Sequence, residues 1–282
     1  MSGFRLPRPN LRRISLFVAL LCLGLATRAA AVTVSPSALF IDSRSQTGTL
    51  ILFNGGTRPE EVEVTFAFGY PISDANGTVN VELRDTAPAG EPSIVPWMRA
   101  FPRRMVLQPG QRQVLRVLVQ PPATLPEGEY WGRVLVRSRG GQPPIEQTSG
   151  DVRVQLNVET VIATAVMFRK GTMTTGLGVT AASAEMKDDQ VEVTFDVARQ
   201  GVAAYLGRVR AQLVGPDGRV AGEVEDALAV YRTLRRRFVF ALPAGALRTG
   251  YTVRYTFDTE RPDLPATGPV KAPPVTGTLP VR

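Results

Sequence analysis

The side chains through which this 282-residue chain could do chemistry are few in kind, because it has no histidine and one cysteine, Cys22. Without histidine there is no Ser-His-Asp or Cys-His catalysis and no His-ligated zinc or haem. A lone cysteine excludes a disulfide framework and a Cys-rich metal site. No Gly-x-x-x-x-Gly-Lys-Ser/Thr, Gly-x-Gly-x-x-Gly or Ser-x-x-Lys occurs. Asp188-Asp189 is a carboxylate pair without further ligands around it. Neither an enzyme nor a cofactor is expected. What remains is contact chemistry, and residues 151–162, DVRVQLNVETVI, suit it best. Val152, Val154, Leu156 and Val158 fall on one face of an extended strand and Arg153, Gln155, Asn157 and Glu159 on the other. Burying each aliphatic chain against a partner is worth about 1.5–3 kcal/mol, so four give about 6–12 kcal/mol before association costs of several kcal/mol. The same alternation also describes a strand whose apolar face fills its own core.

Charge offers a second chemistry. There are 33 Lys+Arg against 25 Asp+Glu, a formal +8, which invites a nucleic-acid partner. Five of the arginines lie in residues 1–31, which hold no acid. There a basic stretch ending at Arg13 precedes the apolar run ISLFVALLCLGLA and the Ala29-x-Ala31 site. This order predicts a secretory signal peptide over 1–31 rather than a membrane anchor. Its removal takes away Cys22 and leaves 28 basic against 25 acidic residues, a net +3. No membrane span is then expected, and no nucleic-acid binding. The densest basic run, Arg232 and Arg235–Arg237 beside Tyr231 and Phe238, reads as a solvent-facing strand with Glu223, Glu225 and Asp226 close in sequence. Trp97 and Trp131 read as core or interface residues.

These groups need strands to position them. After Ala31 short alternating runs dominate, among them Thr49–Phe53, Glu61–Phe66, Gln113–Val119, Arg133–Val136, Val191–Val197, Arg208–Val214, Arg237–Ala241 and Thr252–Phe257. Asn54-Gly55-Gly56, Asn76-Gly77, Pro109-Gly110 and Asp217-Gly218 mark turns between them. Residues 113–136 and 235–257 echo each other as strand, Leu-Pro turn, Gly, Tyr, strand. The expectation is an all-β chain of two tandem immunoglobulin-like sandwiches, 32–165 and 166–282. Residues 260–282, rich in proline, are expected to carry a final edge strand or to be partly disordered.

Three segments carry a family resemblance. Val32–Val64 has a Val-rich first strand, then an apolar strand ending in Asn with a Pro shortly after. Ser93–Val119 contains Leu107, Pro109, Gly110, Leu115 and Arg116 in the order Leu-x-Pro-Gly-x-x-x-x-Leu-Arg. Thr124–Val136 has Leu-Pro, an acidic turn, an aromatic and a strand. Together they resemble the PapD-like periplasmic pilus chaperones over most of 32–162. The resemblance implies a cleft between two sandwiches and a chaperone that lends a strand to pilus or fimbrial subunits. It also implies delivery to an outer-membrane usher. The donor face would be Val152, Val154, Leu156 and Val158, preceded by the Gly/Pro-rich loop 138–150.

The chain departs from that family at one place. Two basic cleft residues would anchor the subunit's terminal carboxylate, but alignment puts Ala38 and Val161 there. The anchor is therefore unassigned, with Arg44, Arg169 and Lys170 as substitutes nearby in sequence. The alternatives are a secreted immunoglobulin-like structural or adhesive component of a pilus or cell surface and, with less in its favour, a carboxylate-based hydrolase.

Overall fold

The computed structural model describes residues 32–140, 145–149, 152–156, 158–242, 245 and 247–282, with 145–149 and 152–156 given by backbone alone. The expected signal segment, 1–31, lies outside the described residues. In chain order the strands begin β1 (Val32–Ser35), β2 (Ala38–Asp42), β3 (Thr47–Asn54), β4 (Glu60–Ala67), β5 (Pro71–Ser73), β6 (Val79–Val81) and β7 (Met98–Phe101). They continue as β8 (Arg104–Leu107), β9 (Arg112–Val119), β10 (Gly128–Arg139), β11 (Ile145–Ser149), β12 (Val152–Leu156) and β13 (Glu159–Lys170). The remainder are β14 (Thr175–Lys187), β15 (Gln190–Gly201), β16 (Tyr205–Val214), β17 (Val220–Val230), β18 (Thr233–Ala241), β19 (Thr252–Asp258) and β20 (Val275–Pro280).

Alternation explains the burial. In β15 the side chains of Val191, Val193, Phe195 and Val197 are buried and their neighbours are not. Turn chemistry explains the connections. Asn54 closes its Gly-Gly turn from inside, donating from Nδ2 to the carbonyls of Arg58 and Leu107 and accepting from Gly56 N–H at Oδ1. Gly77, Gly110 and Gly218 all have φ between +74° and +80° at turns foreseen in the sequence.

The fold is all-β, two immunoglobulin-like sandwiches. Sheets β1-β3-β9-β7 and β2-β13-β10-β4-β8 enclose one core, including Leu50, Leu52, Leu115, Val134 and Phe168. Sheets β14-β15-β18 and β17-β16-β19-β20 enclose the other, including Val193, Phe195, Val209, Val253 and Phe257. β20 is an edge strand, paired with β19. The expected join at 165/166 falls inside β13, which stays paired with β10 as far as Gly128↔Lys170. The chain leaves that sheet at Gly171 and enters β14 at Thr175.

A third apolar cluster, with Ala38, Phe68, Trp131, Met167, Ala204, Leu206 and Tyr231, joins the two sandwiches. Tyr70 stacks on Tyr231 at 5.3 Å, and Trp131 meets Tyr231 edge-on at 4.8 Å. Glu129 is buried among them. Its Oε1 accepts from Trp131 Nε1 (3.0 Å) and from the Ala204 backbone N–H (2.8 Å). Its Oε2 accepts from Arg169 Nε at 2.8 Å. The β5–β6 hairpin straps the other side. The Arg235 backbone N–H donates to Ser73 Oγ, and Gly77 sits so close to the Arg237 backbone that a Cβ there would be 2.8 Å from its nitrogen.

Removing Glu129 would strand the Arg169 guanidinium and two N–H donors away from water. We expect Glu129→Ala to destabilise by about 3–5 kcal/mol, the range for breaking a buried charge pair from one side. Glu129→Gln, which keeps an acceptor for Trp131 and Ala204, should cost less. Urea unfolding monitored by tryptophan emission measures both, and an alanine cost below about 1 kcal/mol would show that the carboxylate is dispensable.

Candidate functional site: an unpaired strand edge beside a cationic cavity

The candidate donor residues lie on the return arm of a long hairpin. β10 and β13 pair antiparallel from Gly128↔Lys170 to Arg139↔Glu159. Past that ladder β11 and β12 pair with each other, with Gln147 opposite Val154 and Ile145 opposite Leu156. Val152, Val154 and Leu156 are therefore on β12, and their side chains lie outside the described structure. Val158 sits between β12 and β13 and is 49% exposed.

One side of this arm has no strand beside it. β12 pairs with β11 alone among the described residues. β13 gains its second neighbour, β2, only from Ala165 onward, through the parallel register Ala165↔Ala38 to Arg169↔Asp42. Residues 159–164 thus present backbone N–H and C=O groups along an open edge. Val161, which alignment places at one anchor position, is exposed there. An open edge with apolar side chains is a template for another chain's strand.

The three candidate anchor cations lie beyond that edge, Arg169 and Lys170 at the end of β13 and Arg44 in the adjoining turn, whose Ser43 N–H donates to the Arg169 carbonyl at 2.9 Å. Arg44 is exposed in the β2–β3 turn, where its backbone N–H donates to Asp42 Oδ1. That turn and the Ser45 hydrogen bonds hold the Asp42 carboxyl below its ordinary value. Arg169 is committed to the sandwich junction: besides Glu129 it donates from NH1 to the Gly268 carbonyl at 2.5 Å and lies 4.7 Å over the Phe40 ring. The ammonium of Lys170 donates to the carbonyls of Ala123 and Leu125.

The structure brings a different cation to the cleft, one that sequence reasoning passed over. Along β10 the even-numbered Tyr130, Val134 and Val136 pack on the first core, while Glu129, Trp131 and Arg133 alternate on the other face. Arg133 is 8% exposed. Its Nε donates to the Gly69 carbonyl at 2.8 Å and its NH1 to the Ala163 carbonyl at 3.3 Å. No carboxylate pairs with it among the described residues. Burial lowers its pKa from the ordinary guanidinium value, partly offset by the nearby Tyr231 hydroxyl, and arginine remains charged. Tyr231 itself is pushed up to about 12 by burial and so stays a neutral donor.

Arg133 and Tyr231 line a cavity of ≈ 180 Å³ between the sandwiches, with Ser37, Ala38, Leu206 and Arg261. The Arg261 charge is already spent on Asp263, bidentate at 2.7 and 2.6 Å. The cavity therefore offers an unpaired guanidinium and a phenol at a place large enough for a carboxylate. Ala38, the other position lacking the expected basic residue, forms part of its wall. A signal for Arg133 was present in the sequence: a lone charge inside the apolar run Tyr130–Val136 of what must be a central strand.

The remaining candidates resolve as surface or packing features. Arg232, Arg235, Arg236 and Arg237 pair with Glu91, Asp196, Asp226 and Glu192 respectively. Asp189 pairs with Arg248. No group of acids that could hold a metal ion occurs among the described residues, and no helix there is long and apolar enough to cross a membrane.

No family model matches the chain, and no curated protein matches it. Solved structures similar to it are chaperones of pilus and fimbrial systems. The Salmonella enterica SafA pilin–SafB chaperone complex matches at 13% identity and TM-score 0.41, covering 89% of this chain and 98% of that one. The CupB2 chaperone of Pseudomonas aeruginosa matches at 13% and 0.38, covering 87% and 98%. The CsuC–CsuE chaperone–tip adhesion subunit complex of Acinetobacter baumannii matches at 11% and 0.43, covering 90% and 100%.

Proposed function

We propose that this chain is an exported assembly chaperone that holds a pilus or fimbrial subunit by lending it the β12–β13 edge and passes it to an outer-membrane usher. The observation that carries this proposal is the edge itself: β12 and residues 159–164 of β13 have a strand partner on one side alone among the described residues. The aliphatic period Val152, Val154, Leu156, Val158 along it supplies side chains for a partner's groove. The two sandwiches act as separate domains joined at the Glu129 junction, and the second domain completes the cleft. In place of Arg44, Arg169 and Lys170, the anchor for a subunit carboxylate is Arg133, with Tyr231 donating a second hydrogen bond.

Co-expression with a pilus subunit in the periplasm, followed by co-purification, tests the edge. Leu156→Asp should reduce subunit recovery at least tenfold, because a charge would enter an apolar groove. Unchanged recovery sinks strand donation and favours the adhesive-module alternative.

The anchor has its own test. Arg133→Gln should weaken the complex roughly ten- to a hundredfold, in line with about 1.5–3 kcal/mol for a charged hydrogen bond. Amidating the subunit's C-terminus should weaken wild type by a similar factor and the variant hardly at all. Additive losses would separate Arg133 from the carboxylate.

A further inference from the structure

The connection between β19 and β20, residues 259–274, is the longest in the second sandwich, and it has no strand of its own. Loops of that length in a compact domain usually carry function. This one is stiff. Pro262, Pro265, Pro269, Pro273 and Pro274 fix its backbone. Two turns close it, with Leu264 N–H donating to the Arg261 carbonyl at 3.1 Å and Gly268 N–H to the Pro265 carbonyl at 2.8 Å. Arg261 and Asp263 are ion-paired within it. Its root is tied to its own sandwich, where Arg261 NH1 donates to the Leu228 carbonyl at 3.0 Å. Lys271 Nζ donates to the Thr259 carbonyl at 3.2 Å and draws the two ends together. The segment is a body on a narrow neck, built to move as a unit.

The far end of this body rests on the other sandwich. Ser37 Oγ donates to the Asp263 carbonyl at 2.9 Å, and Arg169 NH1 to the Gly268 carbonyl. Gly268 is buried against Phe40, so closely that a Cβ there would stand 2.1 Å from the ring. Leu264 packs on the apolar cluster that joins the sandwiches. Asp263 and Leu264 also form part of the wall of the Arg133 cavity, together with Ala38 and Ala165 of the first sandwich and Leu206 and Ala229 of the second. Two hydrogen bonds, one ring contact and one leucine are few beside a strand ladder. The closed position can therefore be left without unfolding either sandwich.

We infer that residues 259–274 are a lid over the Arg133 cavity, closed in the free chain and swung off the first sandwich about the Thr259/Lys271 neck to admit an anionic chain end. The ≈ 180 Å³ cavity takes a carboxylate but not the residues behind it. With the lid raised, Asp263 and Leu264 leave the wall and the cavity opens between the sandwiches. Gly268 is the latch: the lid seats on Phe40 because no side chain stands between them. The kind of occupant rests on the reading of Arg133 as an anchor, whereas the motion itself can be observed with no ligand present.

Thiol labelling at Ala38, buried in the cavity wall, measures the motion. In a Cys22→Ser background Ala38→Cys carries the single thiol, and an anionic methanethiosulfonate is the probe. Labelling should be slow in the folded chain and at least tenfold faster with Gly268→Leu, whose side chain has no room against Phe40. Ser37→Ala, which removes one hydrogen bond and leaves the packing intact, should speed it roughly threefold or more. Ala211→Cys, in the second core, should label no faster in either lid variant, and both should unfold cooperatively on heating. Equal rates at position 38 with and without the lid substitutions overturn the inference. So does an equal acceleration at position 211, which reports general loosening. Lost subunit capture with lid-dependent labelling intact would overturn the anchor and leave the lid standing.

Discussion

The relative placement of the two sandwiches depends on a carboxylate withdrawn from water. A buried charge is tolerated only when its oxygens are fully used, and Glu129 meets that demand from three directions. Trp131 comes from its own strand, Arg169 from the neighbouring one, and the Ala204 N–H from the second sandwich. A backbone N–H has no rotamers, so the last of these fixes where the β15–β16 connection must sit. The aromatic cluster then packs in the space that remains, and the cavity at Arg133 is what the packing leaves open.

The open edge follows from how the chain begins its first sandwich. β1 and β2 are parts of one run split at Pro36, with β1 in one sheet and β2 in the other. β2 is five residues long and covers β13 only from Ala165. A longer second strand would have closed the edge. Protected edges carry lysines, prolines or bulges, and residues 158–164 have none of these residue types. Exposed Val158 and Val161 on such an edge are an aggregation hazard for a molecule that works alone.

Much of this architecture was legible in the chain, where one face of a strand is aliphatic and turns are marked by Asn-Gly, Pro-Gly or Asp-Gly. β9, β15, β16 and β19 are of that kind. β14 is not: TGLGVTAASAEMK is largely small residues, and only Leu177 and Ala184 of it are buried in the second core. It is a strand because β15 pairs with it along its length. β17, VAGEVEDALAV, has a charge, Asp226, where alternation would ask for an aliphatic and is held by its register on β16. The candidate anchors were sought by proximity in sequence, which carries no information about Glu129 drawing Arg169 across 40 positions. Arg133 stands at the centre of an apolar run, and a strand pattern alone does not distinguish such a charge from one that faces solvent.

Trp131 adds a consequence of a different kind. It is one of two tryptophans in the chain, lies on the same face of β10 as Arg133, and is 2% exposed. Its indole is hydrogen-bonded to the junction carboxylate and is in edge contact with Tyr231, which lines the cavity. An anion entering beside Arg133 alters the electric field at that indole, and a shift of one sandwich against the other alters its contacts. The molecule thus carries its own optical reporter, readable without a label, at the point where filling of the cleft and movement of the sandwiches would first be felt.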